Sequence, residues 1–313
     1  MMGPSTELSV IVPVVERYDD VAELYRAYKK GLEDSGKSYE FIYVIDGDFG
    51  EVMEVLKRLI AEGEKIKVIK LARWFGEATA LTIGIQHSSG SSILTLPAYQ
   101  QVEAHEIPRL IESLKDYDMV IARRWPRKDS LFNRIQSWVF HMLLNPVSDF
   151  KFHDIGCGVR VFRKQVAQEI SIYGDQHRFL PILAHKYGFR VLEVDAAQSQ
   201  KDTSKRVYSP GTYVQRMLDI FTIFFLVKFT KKPLRFFGIL GSSVFTVGFL
   251  VLLYLLFAKV FQGVALAGRP ILLLGTLLVV LGVQVFAIGL IGEIIIFTHA
   301  KDIKEYTIDQ IIG

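Results

Sequence analysis

The chain has 313 residues, 50% of them hydrophobic, and its 37 Lys and Arg against 33 Asp and Glu leave a net charge of +4. A mean hydropathy of +0.27 is too apolar for a soluble domain alone, which assigns part of the length to a membrane. So small a charge imbalance gives no ground for a polyanion, so no nucleic-acid partner is expected; a single cysteine, Cys157, excludes an internal disulfide and a multi-cysteine metal site within one chain.

The opening residues are short and polar and lack a signal-peptide core, so the domain that follows is expected to stay in the cytoplasm. Leu8-Ser9-Val10-Ile11-Val12-Pro13 predicts a first strand. Residues 19–33 predict a helix with Val21, Leu24, Tyr25, Tyr28 and Leu32 on its apolar face. Strands are predicted at 41–45, 66–71, 92–96 and 119–122, and helices at 51–61, 77–87 and 109–115. This alternation argues a doubly wound, mostly parallel α/β sheet with right-handed crossovers, which binds ligands at the C-terminal ends of its strands.

Between residues 212 and 229, Val214, Met217, Leu218, Phe221, Phe224, Phe225 and Leu226 form a broad apolar face. That pattern predicts a helix lying in the membrane interface, the alternative being a helix packed on the soluble domain. Two long apolar runs follow, at 236–257 and 271–297, each reaching the roughly 20 residues needed to cross the hydrocarbon core. Lys228, Lys231, Lys232 and Arg235 precede the first run and Lys301 and Lys304 follow the second, whereas Lys259 and Arg269 alone lie in the connection. The bias predicts two spans in the inner membrane with both termini and the globular domain on the cytoplasmic side, and the basic cluster favours anionic head groups. The expected boundaries are 1–211 for the soluble domain, 212–233 for the juxtamembrane segment, 234–300 for the spans and 301–313 for a tail.

The motifs come in a recognisable order. Ser9-Val10-Ile11-Val12-Pro13 opens the series, followed by Arg73-Trp74-Phe75-Gly76 and by the basic segment Arg127-Lys128-Asp129-Ser130 with Arg134. His153-Asp154-Ile155-Gly156-Cys157-Gly158-Val159-Arg160-Val161-Phe162-Arg163 and His177-Arg178-Phe179-Leu180-Pro181 come next, and Lys232-Pro233-Leu234-Arg235-Phe236-Phe237-Gly238 and Leu290-Ile291-Gly292-Glu293 mark the spans. Together they resemble the polyprenyl-phosphate glycosyltransferases, a family 2 group with the GT-A fold that includes dolichyl-phosphate mannose synthases and bacterial undecaprenyl-phosphate sugar transferases.

The resemblance implies transfer of a sugar from a nucleotide sugar to polyprenyl phosphate, a role in cell-envelope polysaccharide or glycolipid synthesis, and a homo-oligomer or a complex with another membrane transferase. It implies nucleotide-binding roles for Pro13, Glu16, Asp46, Arg73, Tyr99 and Gln101, phosphate-binding roles for Arg127, Arg134, Arg160, Lys201 and Lys205, and a catalytic role for Asp154. Alternatively, Asp154 orders its loop by hydrogen bonding. Glu293 is expected to cap a helix or pair with a basic residue.

The departures concentrate where the chemistry belongs. After the fourth strand the family reads M-D-A-D-L-Q-D-P-P-E-x-I-P, whose two Asp hold Mg or Mn on the diphosphate; here Pro97 and Tyr99 replace both, while Ala98 and Gln101 keep the register. The metal site is therefore lost and no cofactor is expected. The usual P-V-Y-N-E is Pro13-Val14-Val15-Glu16-Arg17, and a phosphate-facing His and Arg are replaced by Gln198 and Lys201.

Three replacements for the metal's charge are open: a metal-free clamp drawn from Arg73, Arg123, Arg124, Arg127, Lys128, Arg160, Lys201, Lys205 and Arg206; a D-x-D at Asp46 and Asp48; or Glu103 with His105. The opposing reading is a pseudo-glycosyltransferase acting as a scaffold or as a regulatory, lipid-binding subunit.

Overall fold

The computed structural model describes residues 6–126, 152–170, 174–203, 233–263 and 269–299. The segment predicted as an interfacial helix, together with Arg127, Lys128, Arg134, Lys205 and Arg206, lies outside them. The chain separates into two compact units, the first holding a sheet with its helices and the second two long helices.

The strands are β1 (Leu8–Val14), β2 (Tyr39–Ile45), β3 (Ile66–Lys70), β4 (Ser92–Thr95), β5 (Met119–Arg124), β6 (Arg160–Arg163) and β7 (Val191–Ala196), in the order β3-β2-β1-β4-β6-β5-β7. Every pairing is parallel except those of β6, which runs antiparallel to β4 and β5. β1 is buried along its whole length, as an inner parallel strand of apolar residues requires, and its one polar side chain, Ser9, donates its hydroxyl to Glu40 at 2.6 Å. Helix α1 (Val21–Glu33) starts where the Asp20 carboxylate accepts the Glu23 N–H, and its stripe Val21, Leu24, Tyr25, Tyr28 and Leu32 enters the core against β1 and β2. Each such side chain contributes about 1.5–3 kcal/mol on burial.

α2 (Gly50–Ala61) and α3 (Glu77–Gln86) match the predicted helices closely. α4 (Ile107–Glu112) begins earlier than predicted, with Pro108 in its first turn, where a missing N–H costs nothing, and tightens into a 3-10 turn over Ser113–Asp116.

The direction of winding reverses between β1 and β4, because β2 and β3 build out on one side and the chain then returns to the other. Leu96 N–H donates to the Ile11 carbonyl. The next rung of a parallel ladder would need an N–H at Pro13, which proline lacks. Pairing therefore stops at Ile11–Thr95, and the two strands part at the reversal point, where open α/β sheets form their ligand crevice.

In the second unit the helices Pro233–Gln262 and Pro270–His299 have the length and composition to cross a membrane, and only 17% and 11% of their most apolar windows are buried. A core helix of a soluble protein would be mostly buried, and these two leave most of their apolar surface uncovered among the described residues. The pair packs through glycines: a Cβ at Gly282 would lie 2.5 Å from the Phe245 N, and one at Gly241 2.6 Å from the Phe286 N. Small residues at these crossings bring the backbones together. Gly282→Leu is expected to lower the thermal unfolding temperature of the detergent-solubilised protein through overpacking of about 1–3 kcal/mol or more, with Leu277→Ala, a truncation on an exposed face, as the near-silent control. Equal melting of the two variants would show that the helices do not need this close approach. The Glu293 carboxylate accepts the Leu234 N–H at 3.3 Å, which caps the start of the first helix as expected.

Candidate functional site

The C-terminal ends of the parallel strands, together with the start of the antiparallel β6, bring the sequence-predicted residues to one edge of the sheet. Arg17 follows β1, Asp46 follows β2, Tyr99 and Gln101 follow β4, Asp154 to Gly158 precede β6, and Gln198, Lys201 and Asp202 follow β7.

The turn after β4 is held rigidly. Tyr28 donates its hydroxyl to the Pro97 carbonyl at 3.0 Å. The Gln101 amide donates to the Tyr99 hydroxyl at 2.6 Å and accepts the Gly158 N–H at 2.7 Å, while its carbonyl accepts the Ser199 N–H. Gly158 is required by contact, since a Cβ there would stand 2.9 Å from the Pro97 ring. Gln101 therefore ties together the three loops that meet at this edge.

Above this turn lies a cation. The Arg17 guanidinium sits 4.1 Å from the centroid of the Tyr99 ring, and its Nη2 donates to the Lys201 carbonyl at 3.2 Å. Its Nη1 is 4.0 Å from Asp202 Oδ1. Beneath runs a buried ion network. Arg124, with 1% of its side chain exposed, makes a bidentate pair with Asp154 at 2.7 Å for both bonds and reaches Asp202 at 3.1 Å. Gln198 donates to the same Asp202 oxygen at 2.7 Å. Burial alone would lower the Arg124 pKa, but the Asp154 carboxylate outweighs it and holds the group well above its ordinary range.

Several expected binding groups are otherwise engaged, for a common reason: buried charge must find partners. Asp46 is fully buried and accepts the Phe75 N–H at 2.8 Å and the Gly76 N–H at 2.6 Å, so it clamps the turn into α3 instead of opening toward a nucleotide. Gly76 adopts φ +98 there, a conformation suited to glycine. Asp154, expected to be catalytic, has both oxygens on Arg124. That geometry follows the alternative reading, an ordering role.

Arg160, expected to bind phosphate, donates to the carbonyls of Cys157, Ile155, His177 and Arg178, so its guanidinium builds the protein interior. Burial pushes the Cys157 thiol up to about 11, which keeps it protonated and rules it out as a nucleophile at neutral pH.

Others stay at the surface. Glu16 is exposed, and the exposed Arg73 lies 5.1 Å over the Phe75 ring. Lys201 pairs with Glu23 at 2.7 Å across solvent, a contact that raises the lysine pKa and that an incoming anion can displace. Pro13 acts through its missing N–H at the strand divergence. Arg127, Arg134 and Lys205 lie outside the described residues. Arg17 was missed as a candidate; its signal was a cation standing where the resembled motif carries an acid.

A divalent metal does not fit this edge. Tyr99 offers a phenol already bonded to Gln101 and covered by a guanidinium, and Pro97 offers no side-chain donor. Asp46 faces inward while the Asp48 side chain is 96% exposed and lies 3.9 Å from Lys70, so the two do not converge. His105 is exposed and nearest to Glu106, at 3.9 Å, while Glu103 accepts from Gln100 at 3.4 Å. Among the described residues no three His, Cys, Asp or Glu side chains gather as a metal site would need.

Comparison with known proteins agrees with this architecture. The chain is similar to dodecaprenyl-phosphate galacturonate synthase of Rhizobium johnstonii, 28% identical over 304 residues that cover 95% of this chain and 90% of the relative. It is likewise 28% identical over 318 residues to undecaprenyl-phosphate 4-deoxy-4-formamido-L-arabinose transferase of Pectobacterium carotovorum, covering 100% and 96% of the two chains. Among solved structures, glucosyl-3-phosphoglycerate synthase from Mycobacterium tuberculosis with bound uridine diphosphate shares the fold at a TM-score of 0.54 and 12% identity, over 70% of this chain and 79% of that one. The sheet is thus that of the GT-A glycosyltransferases. The family model for glycosyl transferase family 2 matches residues 9–171, more than half of the chain, and the protein belongs to that family.

Proposed function

We propose that this protein is an integral membrane glycosyltransferase that moves a sugar from a nucleotide sugar to the phosphate of a polyprenyl lipid, through a donor site that works without a divalent metal. The observation that carries the reading is the extent of the similarity: relatives named for dodecaprenyl and undecaprenyl phosphate align with 95% and 100% of the chain, so the sheet domain and both membrane-length helices are matched together.

The chemistry tolerates what this site lacks on the acceptor side. A phosphate with a second pKa near 6 is already largely dianionic at pH 7, so engagement of Asp154 by Arg124 removes no base that the reaction needs. The demanding step is charge build-up on the leaving diphosphate, which needs fixed cations or dipoles. In this reading both termini and the globular domain are cytoplasmic.

A second reading, a pseudo-glycosyltransferase that binds lipid or a partner transferase without turnover, is favoured by the absence of carboxylates at both positions 97 and 99. Incubating the purified protein with polyprenyl phosphate and a panel of nucleotide sugars, with manganese or with EDTA, separates the two by mass spectrometry of the lipid. Glycosylated lipid is expected at rates that differ less than about threefold between the two conditions, because no carboxylate pair awaits the ion. No product in either condition would favour the pseudoenzyme.

A further inference from the structure

We infer that the Arg17 guanidinium is the resident cation of the donor site and binds the diphosphate where a metal ion would otherwise stand; this rests on the donor-site reading above. Position comes first. Arg17 leaves β1 and Tyr99 leaves β4, so the pair spans the crevice at the point where the winding of the sheet reverses. The missing rung at Pro13 opens the sheet just beneath it.

Geometry is the second ground. The guanidinium is held by its face, 4.1 Å over the Tyr99 ring, with one hydrogen bond to the Lys201 carbonyl. A guanidinium anchored through its face keeps N–H groups along its edge, and that fork matches two phosphate oxygens at once. The Tyr99 ring is itself fixed, through its hydroxyl, by Gln101.

Charge is the third. The nearest carboxylate, Asp202, is 4.0 Å from Arg17, beyond hydrogen-bonding distance, and already accepts from Arg124 at 3.1 Å and from Gln198 at 2.7 Å. Arg17 therefore shares its counter-ion with a better-placed cation, and with 32% of its side chain exposed it is open to a stronger anion. The two replacements are coupled. An acid at position 17 would leave Tyr99 a bare ring, and an acid at position 99 would neutralise Arg17.

The test uses the full-length protein in detergent with EDTA present. UDP, GDP and CDP are titrated by calorimetry, and the tightest binder and its bare nucleoside are carried forward. Charge-assisted hydrogen bonds of this kind predict that Arg17→Ala weakens the nucleoside diphosphate by about 10-fold to 100-fold, with Arg17→Lys in between. The bare nucleoside should change less than about twofold, which a merely structural role for Arg17 would not spare.

Equal loss for nucleoside and diphosphate, or unchanged diphosphate binding by Arg17→Ala, would overturn the role of Arg17 while leaving the donor site standing. If the wild-type protein binds none of the three diphosphates, the donor-site reading fails and this inference fails with it. Should Arg17→Ala lose its fold, the ratio of diphosphate to nucleoside affinity in Arg17→Lys decides alone: a lowered ratio supports the clamp and an unchanged one overturns it.

Discussion

Arg124→Met is expected to lose about 3–5 kcal/mol of stability, which makes it the most damaging single substitution proposed for this domain. The side chain is enclosed between Asp154 and Asp202, and its removal takes the neutralising cation from two carboxylates that have 2% and 0% of their side chains exposed. Methionine fills much of the volume, so the loss is electrostatic more than steric. For a domain of this size that corresponds to roughly 6–20 °C in the thermal midpoint, read by near-UV circular dichroism.

Arg124→Lys should also be costly, because an ammonium cannot reproduce the bidentate bond to Asp154 and the reach to Asp202 together. Adding Asp154→Leu and Asp202→Leu to Arg124→Met should recover most of the loss, since replacing a whole buried ion network by apolar groups is often neutral. A midpoint for Arg124→Met within about 2 °C of wild type would mean that the network does not hold this edge of the sheet together.

Restoring the family's acidic pair with Pro97→Asp and Tyr99→Asp should by itself leave the manganese effect on nucleotide affinity below about threefold. The reason is local. An aspartate at 99 stands next to the guanidinium that now covers the ring at 4.1 Å, and will pair with it before it binds an ion. The double variant also loses the hydroxyl bond from Gln101 that keeps the turn in place. Adding Arg17→Glu removes the competing cation and supplies a third carboxylate, after which a manganese gain of tenfold or more is expected, about 1.4 kcal/mol. A tenfold gain from the double variant alone would show that Arg17 does not control the crevice, and would leave the two lost aspartates as a sufficient account of the site.

The sequence alone determined the elements whose signal is periodic and local. The apolar run of β1, the five-residue stripe of α1 and the two helices of membrane-spanning length each depend on a chain's own apolar pattern, and each lies within a few residues of its predicted place. The absence of carboxylates at Pro97 and Tyr99 was equally plain, because a missing side chain needs no neighbours to be recognised. Two strands were not predicted. β6 is four residues with an arginine at each end, and β7 alternates apolar residues with Glu193 and Asp195; both become strands through their partners in the sheet.

What only the tertiary structure decided is where each charge goes. Asp46, Asp154 and Arg160 look like ligand-binding groups in a motif, yet each is itself buried and committed to partners within the protein, two of them to residues 29 or more positions away in the chain. Arg17 looked like a lost acid and emerges as the cation at the crevice, held by Tyr99 and by Lys201, 184 residues away. The physical reason is that a buried charge must be satisfied by whatever the fold brings within about 3 Å, and those partners follow from strand order and loop geometry instead of from neighbouring residues.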